Sequence, residues 1–110
     1  MSDLEPGLIA WVVLDPVRGR ERGGRRPVLI VSGQHYLDVV DTLVQVVPIT
    51  SVPRGWSNHV SLADALDRPS WAMTEQIRTV SRDRVVGIAG RVSGDTLGEV
   101  RLWLRRFLDL

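Results

Sequence analysis

The 110-residue sequence contains no cysteine and no lysine, one phenylalanine, one tyrosine and no long apolar run. The absence of cysteine excludes disulfide scaffolds, thiolate nucleophiles, zinc knuckles and iron–sulfur sites. No apolar stretch approaches the roughly 20 residues that span a bilayer, and residues 1–6 carry acidic rather than basic side chains. We therefore expect a cytoplasmic protein that does not enter a membrane.

The composition fits one small folded unit. With 44% hydrophobic residues the chain can bury one modest core, and a partner subunit would add to its stability. We expect residues 1–110 to form a single domain.

Positive charge is unevenly distributed although the net charge is only +1. Five of the fourteen basic residues lie within nine positions, in which Glu21 is the only acid. These five are Arg18, Arg20, Arg22, Arg25 and Arg26. The loop of residues 15–25 is long and rich in glycine, which predicts a functional connection that attracts anions.

The apolar pattern predicts a mainly β protein. Residues 8–14, 28–31 and 43–49 form short β-branched runs bounded by Gly, Pro and Asp, and weaker strand signals lie at 59–62, 71–75 and 85–91. Parallel strands would need crossover helices of a dozen or more residues, so a closed or strongly bent antiparallel sheet of five to six strands fits better.

A C-terminal helix is predicted to follow the strands. Ser93 is a suitable N-cap, and the acids after it favour the positive end of a helix. One face carries the apolar residues Leu97, Val100, Leu104, Phe107 and Leu108. Leu102 and Trp103 lie outside this stripe, which leaves them either to cover the edge of the sheet or to meet a second subunit.

Three segments, each weak alone, stand in an informative order. They are residues 15–27, which include Arg26-Pro27 and lead into residues 28–32, then Val47-Pro-Ile-Thr-Ser51, and then Glu75-Gln-Ile-Arg-Thr79. In this order and spacing they resemble the MazF/PemK toxins over residues 7–110. The resemblance implies an SH3-like barrel related to that of CcdB, with a C-terminal helix, acting as the endoribonuclease toxin of a type II toxin–antitoxin system.

The resemblance also implies the reaction and the partners. A homodimer would cut single-stranded RNA without a metal or other cofactor, leaving 2′,3′-cyclic phosphate and 5′-hydroxyl ends, and a MazE-like antitoxin would block the groove. Two alternatives stay open. One is a CcdB-like poison that binds gyrase, and the other is a non-catalytic SH3-like interaction domain.

Arg26 and Thr50 are the first two candidate catalytic residues. Pro27 restricts the backbone next to Arg26, whose planar guanidinium can bind two phosphate oxygens. Thr50 ends an apolar strand, where its hydroxyl can donate to a phosphate or make an ordinary turn bond. They match the Arg of Arg-Pro and the Thr of Pro-Ile-Thr, which act as a pair in MazF-like enzymes.

Glu75 is the third candidate catalytic residue, because it is the only carboxylate in the strand predicted at residues 71–75. Partial burial there would raise its pKa and make it a stronger base. A structural ion pair with Arg26 is the alternative. In the Kid branch of the family an Asp at this place is catalytic, with an Arg two positions earlier and a loop His, but this chain has Met73 and Arg20 there.

Further residues are predicted to contact RNA. Trp56 and Asn58 follow Thr50 and can stack on and read an unpaired base, although Trp56 can equally close the end of the barrel. The complete set of predicted RNA contacts is Arg20, Glu21, Arg22, Arg25, Ser51, Trp56, Asn58 and Gln76. Of the two histidines, His35 opens a short helical stretch and His59 opens a strand, so we expect structural roles. With no acidic cluster beside them, no metal site is expected.

Overall fold

The computed structural model describes residues 4–13 and 24–110. Seven antiparallel strands form its sheet, and two helices lie beside them. The strands are β1 (Leu8–Val13), β2 (Arg25–Ile30), β3 (Leu43–Thr50), β4 (His59–Ser61), β5 (Trp71–Met73), β6 (Arg78–Ser81) and β7 (Val85–Arg91). The helices are α1 (Gln34–Val39) and α2 (Gly94–Leu108), and 3₁₀ turns lie at Thr74–Gln76 and Arg82–Arg84.

The mainly β, antiparallel fold class with a C-terminal helix is confirmed, but the predicted number of strands is wrong. The sheet has the order β4-β5-β3-β2-β1-β7, and β6 pairs with the first half of β3. Strand β6 has no apolar run, since Val80 is its only buried residue, and so it gave no strand signal. This segment forms a strand because it pairs with β3, and not because its residues have a high β propensity.

Alternate residues of the central strands are buried on opposite faces of the sheet. Ala10, Val12 and Val28 belong to one core cluster, whereas Ile9 and Leu29 belong to a second. Both faces are therefore covered, which is why β1, β2 and β3 read as continuous apolar runs rather than as alternating ones. Helix α2 covers the second face.

Helix α2 begins where predicted. The Ser93 hydroxyl accepts a hydrogen bond from the Thr96 backbone N–H, and Val100 and Leu104 are buried. The predicted stripe is wrong at its C-terminal end, because Phe107 and Leu108 are about half exposed. Trp103, by contrast, packs against the second core cluster.

Two prolines end the pairing of β2 with β3. The paired residues run from Ile30 opposite Val46 to Val28 opposite Pro48, and they stop just before Pro27. Proline has no N–H to donate to a neighbouring strand, so the ladder cannot continue normally. Extending the same register by two residues sets Arg26 opposite Thr50, on one face of the sheet.

Candidate functional site

Arg26 and Thr50 line the same cleft, as the sequence predicted. The cleft has a volume of about 570 Å³ and opens where β2 begins and β3 ends. Ser51 also lines it, and so do residues of the loop between β4 and β5. A guanidinium and a hydroxyl that share one cleft at a sheet end can bind the same phosphate.

The guanidinium of Arg26 is accessible, whereas its backbone is fixed. Arg26 is exposed and pairs with Val12 of β1, and Val28 two residues later is completely buried. Arg26 therefore lies at the start of a strand that becomes buried two residues later. Among the described side chains, none forms an ion pair with Arg26. In particular, the alternative that Glu75 pairs with Arg26 is wrong, since the Glu75 carboxylate bonds elsewhere.

The Thr50 hydroxyl makes the predicted turn bond and still keeps its donor. Its Oγ1 accepts from the backbone N–H of Val52 at 3.1 Å. A threonine hydroxyl has one hydrogen to donate and two lone pairs, so this bond occupies one acceptor position only. The bond orients Oγ1 while leaving the O–H free to donate to an oxyanion in the cleft.

Glu75 lies in a different place from the one predicted. It is in the 3₁₀ turn after β5 rather than in the strand, and it does not line the cleft. Its Oε1 accepts from Asn58 Nδ2 at 2.7 Å, and both carboxylate oxygens lie 3.1 Å from His59 Nε2. Thr74 joins the same group through a bond from its Oγ1 to the Asn58 carbonyl at 2.7 Å. We call these four residues the Glu75 cluster.

The Glu75 cluster and the cleft are at opposite ends of β5. Trp71, the first residue of β5, is paired with Thr50, and Met73, the last, is paired with His59. Glu75 follows two residues after Met73. The three predicted catalytic residues are thus divided between two regions, one at each end of β5.

The expected rise in the pKa of Glu75 is wrong. Partial burial is the largest single influence and raises this pKa, but the hydrogen bonds and charge of His59, a backbone bond and the Asn58 bond together outweigh it. The net effect lowers the pKa of Glu75 below its ordinary value of 4.5. Glu75 is therefore ionised at neutral pH, and it is a weaker proton acceptor than an isolated glutamate.

This lowered pKa predicts a loss of stability in acid. A carboxylate whose pKa is depressed by folding stabilises the folded state above the unfolded pKa, and that contribution is lost as the pH falls through the folded value. We expect the free energy of unfolding to fall below about pH 4.5, as measured by urea titration at several pH values. Asp64, whose pKa is also lowered, contributes in the same range.

A Glu75→Gln variant separates these two contributions. Because Asp64 remains, the variant should lose less stability in acid than the wild-type chain does. Parallel losses in the two chains would contradict a role for Glu75 in the acid response.

His59 has a larger structural role than its position in the sequence indicated. Its side chain is 2% exposed, and Nδ1 has no hydrogen-bond partner among the described residues. Trp56 packs on it with ring centroids 4.9 Å apart, while about half of Trp56 stays exposed. Part of the indole ring is therefore accessible from outside the protein.

The remaining predicted RNA contacts fall into three groups. Asn58 and Gln76 both donate to Glu75, so they lie in or beside the Glu75 cluster. Arg25 is exposed, with its guanidinium 5.3 Å from the centre of the Trp11 ring. Arg20, Glu21 and Arg22 are outside the described residues.

Sequence reasoning missed part of the cleft. Asp67 and Arg68, in the connection between β4 and β5, line it, and so does Trp11 of β1. In the sequence, only the charged pair Asp67-Arg68 before a proline could have indicated a place in the cleft. Such pairs are common on solvated loops, so the pattern was not informative.

Within the described ranges, none of the helices has both the length and the apolar character needed to cross a membrane.

Comparisons with known proteins place the chain in a family. A sequence profile of PemK-like, MazF-like toxins of type II toxin–antitoxin systems matches residues 5–108. Endoribonuclease MazF9 of Mycobacterium tuberculosis is 33% identical over 112 residues, which cover 94% of this chain and 95% of that protein. Endoribonuclease PemK of Escherichia coli is 50% identical over 50 residues, which cover 46% of this chain and 37% of that protein.

Solved structures agree with the sequence comparison. A crystal structure of a MazE–MazF complex from Deinococcus radiodurans superposes with a TM-score of 0.86 at 30% identity, and the match covers 100% of this chain and 99% of that chain. A crystal structure of MazF from the same organism gives a TM-score of 0.79 at 30% identity, covering 97% of each chain. The chain therefore belongs to the PemK/MazF family of toxins of type II toxin–antitoxin systems.

Proposed function

We propose that this toxin is a sequence-specific endoribonuclease that cleaves single-stranded RNA, in particular mRNA, without a metal. The observation that carries the proposal is the shared cleft of Arg26 and Thr50, the two residues at which the sequence motifs point to phosphate chemistry. The relatives named as endoribonucleases favour this reading over a gyrase poison or an inert interaction domain.

The proposed reaction uses the 2′-hydroxyl of the RNA as the nucleophile. Its proton passes to a base, the O2′–P bond forms, the P–O5′ bond breaks, and the departing 5′-oxygen takes up a proton. Negative charge accumulates on the pentacoordinate phosphorus group between these steps, and donors held in place beforehand stabilise it. Arg26 supplies a permanent positive charge with a forked geometry, and Thr50 supplies the O–H that its turn bond leaves free.

Glu75 is the proposed base. Its lowered pKa keeps it ionised and ready to accept the proton, although it also weakens the driving force of the transfer. For Glu75 to act at the phosphate held by Arg26 and Thr50, the ribose with the attacking 2′-hydroxyl would have to lie along β5 toward the Glu75 cluster. Asn58, Gln76 and the exposed face of Trp56 would then meet the neighbouring nucleotide. Ser51, Arg25 and the loop arginines Arg20 and Arg22, beside Glu21, are proposed to hold the strand on the cleft side.

The partners follow the same reasoning. We propose a homodimer, since the edge strand β7 exposes about half of Val86 and of Ile88, two apolar side chains that a second subunit could cover. A MazE-like antitoxin with an acidic segment would bind to the arginine-lined cleft and exclude RNA. Residues 1–110 would act as one domain in the cytoplasm.

The deciding experiment is to incubate the pure protein with long single-stranded RNA in excess EDTA and to determine the cut sites and end groups. Discrete cuts with 2′,3′-cyclic phosphate and 5′-hydroxyl ends are expected. If diverse RNAs stay intact, the nuclease proposal fails and a binding poison becomes the better account.

A Thr50→Val variant should cleave RNA at least about tenfold more slowly, because it removes a hydrogen bond to a charged group. Valine has nearly the shape of threonine, so the fold should change little. Thr50→Ser, which retains the hydroxyl, should recover much of the rate in single-turnover assays. An unchanged rate in Thr50→Val would remove Thr50 from the reaction.

A further inference from the structure

The part of the cleft lining that the connection between β4 and β5 contributes is held in a fixed position. In the connection between β4 and β5, the Leu62 N–H donates to the Ser70 carbonyl at 2.9 Å, which closes the loop. Asp64 Oδ2 fixes the middle of the loop, since it accepts from the Ser93 backbone N–H at 2.8 Å and from Thr96 Oγ1 at 3.0 Å. Side chains between these points are therefore held by a rigid loop.

Gly90 of β7 gives a third point of attachment. A Cβ atom at this position would lie 3.3 Å from the Ala65 carbonyl oxygen, so the absence of a side chain lets the loop lie against the strand. Asp67 and Arg68 follow Ala65 and Leu66 directly, and both are exposed where the loop lines the cleft.

Neither charge of this pair is neutralised by an ion pair within residues 4–13 and 24–110. Arg68 adds a second guanidinium to a cleft that already has Arg26, which suits a phosphodiester. Asp67 is different, because a carboxylate repels phosphate and lowers the affinity of a phosphate site. The carboxylate of Asp67 instead suits a ligand group that donates hydrogen bonds. The Watson–Crick edge of a base is such a group.

The cleft also offers a surface for the rest of a base. Trp11, Leu66 and Ala89 contribute aromatic and apolar parts of its lining, and Trp11 is half-buried. Unpaired bases in RNA stack on such side chains. The volume of about 570 Å³ lies within the range of pockets that hold small ligands of nucleotide size.

We propose that the cleft binds one unpaired nucleotide, with its base against Trp11 and Leu66 and its Watson–Crick edge donating to Asp67. The inference rests on the proposed function, because it assumes that single-stranded RNA occupies the cleft. Guanine is the base it selects, since N1–H and the N2 amino group are adjacent donors that match the two oxygens of a carboxylate. Arg68 contacts the phosphate of the same nucleotide.

The test measures binding without cleavage. Fluorescence anisotropy compares single-stranded hexamers of deoxyuridine in which one central base is guanine, adenine, cytosine or uracil; these lack the 2′-hydroxyl and cannot be cut. The wild-type chain should bind the guanine hexamer on the order of tenfold more tightly than the uracil hexamer. Asp67→Asn should abolish that preference, and the control Asp41→Asn, at an exposed aspartate outside the cleft, should retain it.

Two results would overturn the inference. The first is that the wild-type chain binds all four hexamers equally. The second is that Asp67→Asn tightens binding to all of them by the same factor, which would mean that Asp67 acts through its charge alone. This binding assay does not measure cleavage, so its result is separate from that of the EDTA experiment. If the wild-type chain shows no preference for guanine but still cuts RNA in EDTA, this inference fails and the nuclease proposal stands.

Discussion

An Arg26→Ala variant should cleave RNA about 10²- to 10³-fold more slowly than the wild-type chain, because it removes a donor aimed at the charge that develops in the transition state. The side chain is exposed and the backbone of β2 is unchanged, so the fold should remain. Single-turnover cleavage of a defined RNA, with circular dichroism and thermal unfolding as checks of folding, gives the measurement.

Two further variants make this prediction specific. Arg26→Lys keeps the charge but not the fork, so it should recover only part of the lost rate. Arg105→Ala removes an exposed arginine in the last turn of α2, outside the cleft, and should cleave normally. A normal rate in Arg26→Ala would show that the cleft is not the place of reaction.

The second large effect is expected from Glu75→Gln, which should lower the turnover by about 10²-fold if Glu75 accepts the 2′-hydroxyl proton. Glutamine retains an oxygen that can accept from His59 Nε2 and from Asn58, and it removes the basicity. Rates measured across pH would support the base assignment if the acid limb of the wild-type profile disappears in the variant.

A normal cleavage rate in Glu75→Gln would mean that the role of Glu75 is structural, and a second variant tests that role. Glu75→Ala removes the hydrogen bond of His59 Nε2, and His59 Nδ1 already has none among the described residues. Leaving both nitrogens of this buried ring without a hydrogen bond should lower the free energy of unfolding by about 1–3 kcal/mol. Glu99→Ala, at an exposed carboxylate on α2, is the matched control and should change stability little. If Glu75→Gln cuts RNA normally while Glu75→Ala is unstable, Glu75 is a structural residue and the base is another group.

The parts of the fold that local sequence determines were predictable. The β-branched runs of β1, β2 and β3 and the Ser93 cap of α2 are signals within a few residues of one another, and the structure agrees with them. Strand β6 and the exposure of Phe107 depend instead on distant parts of the chain: β6 forms by pairing with β3, and Phe107 is about half exposed because the core packs against other residues of α2. Neither feature can be recognised from the local pattern of apolar and polar residues.

The candidate site was predictable to a similar degree. Arg26 and Thr50 were found through motifs, and their common cleft follows from the register of β2 and β3. The pKa of Glu75 could not be predicted, because its direction depends on His59 and Asn58, which lie 16 and 17 positions away in sequence. Asp67 was missed for the same reason: what it faces is decided by the anchoring of its loop to α2 and β7.

The pairing of the first strand with the last has a consequence during synthesis. Strand β1 needs β7 as its second neighbour, with Leu8 opposite Arg91, so the sheet is incomplete until most of the chain has left the ribosome. Contacts between residues this far apart in sequence make folding slow, typically milliseconds to seconds for β-rich domains. A nascent chain would therefore stay without a formed cleft until synthesis is nearly finished.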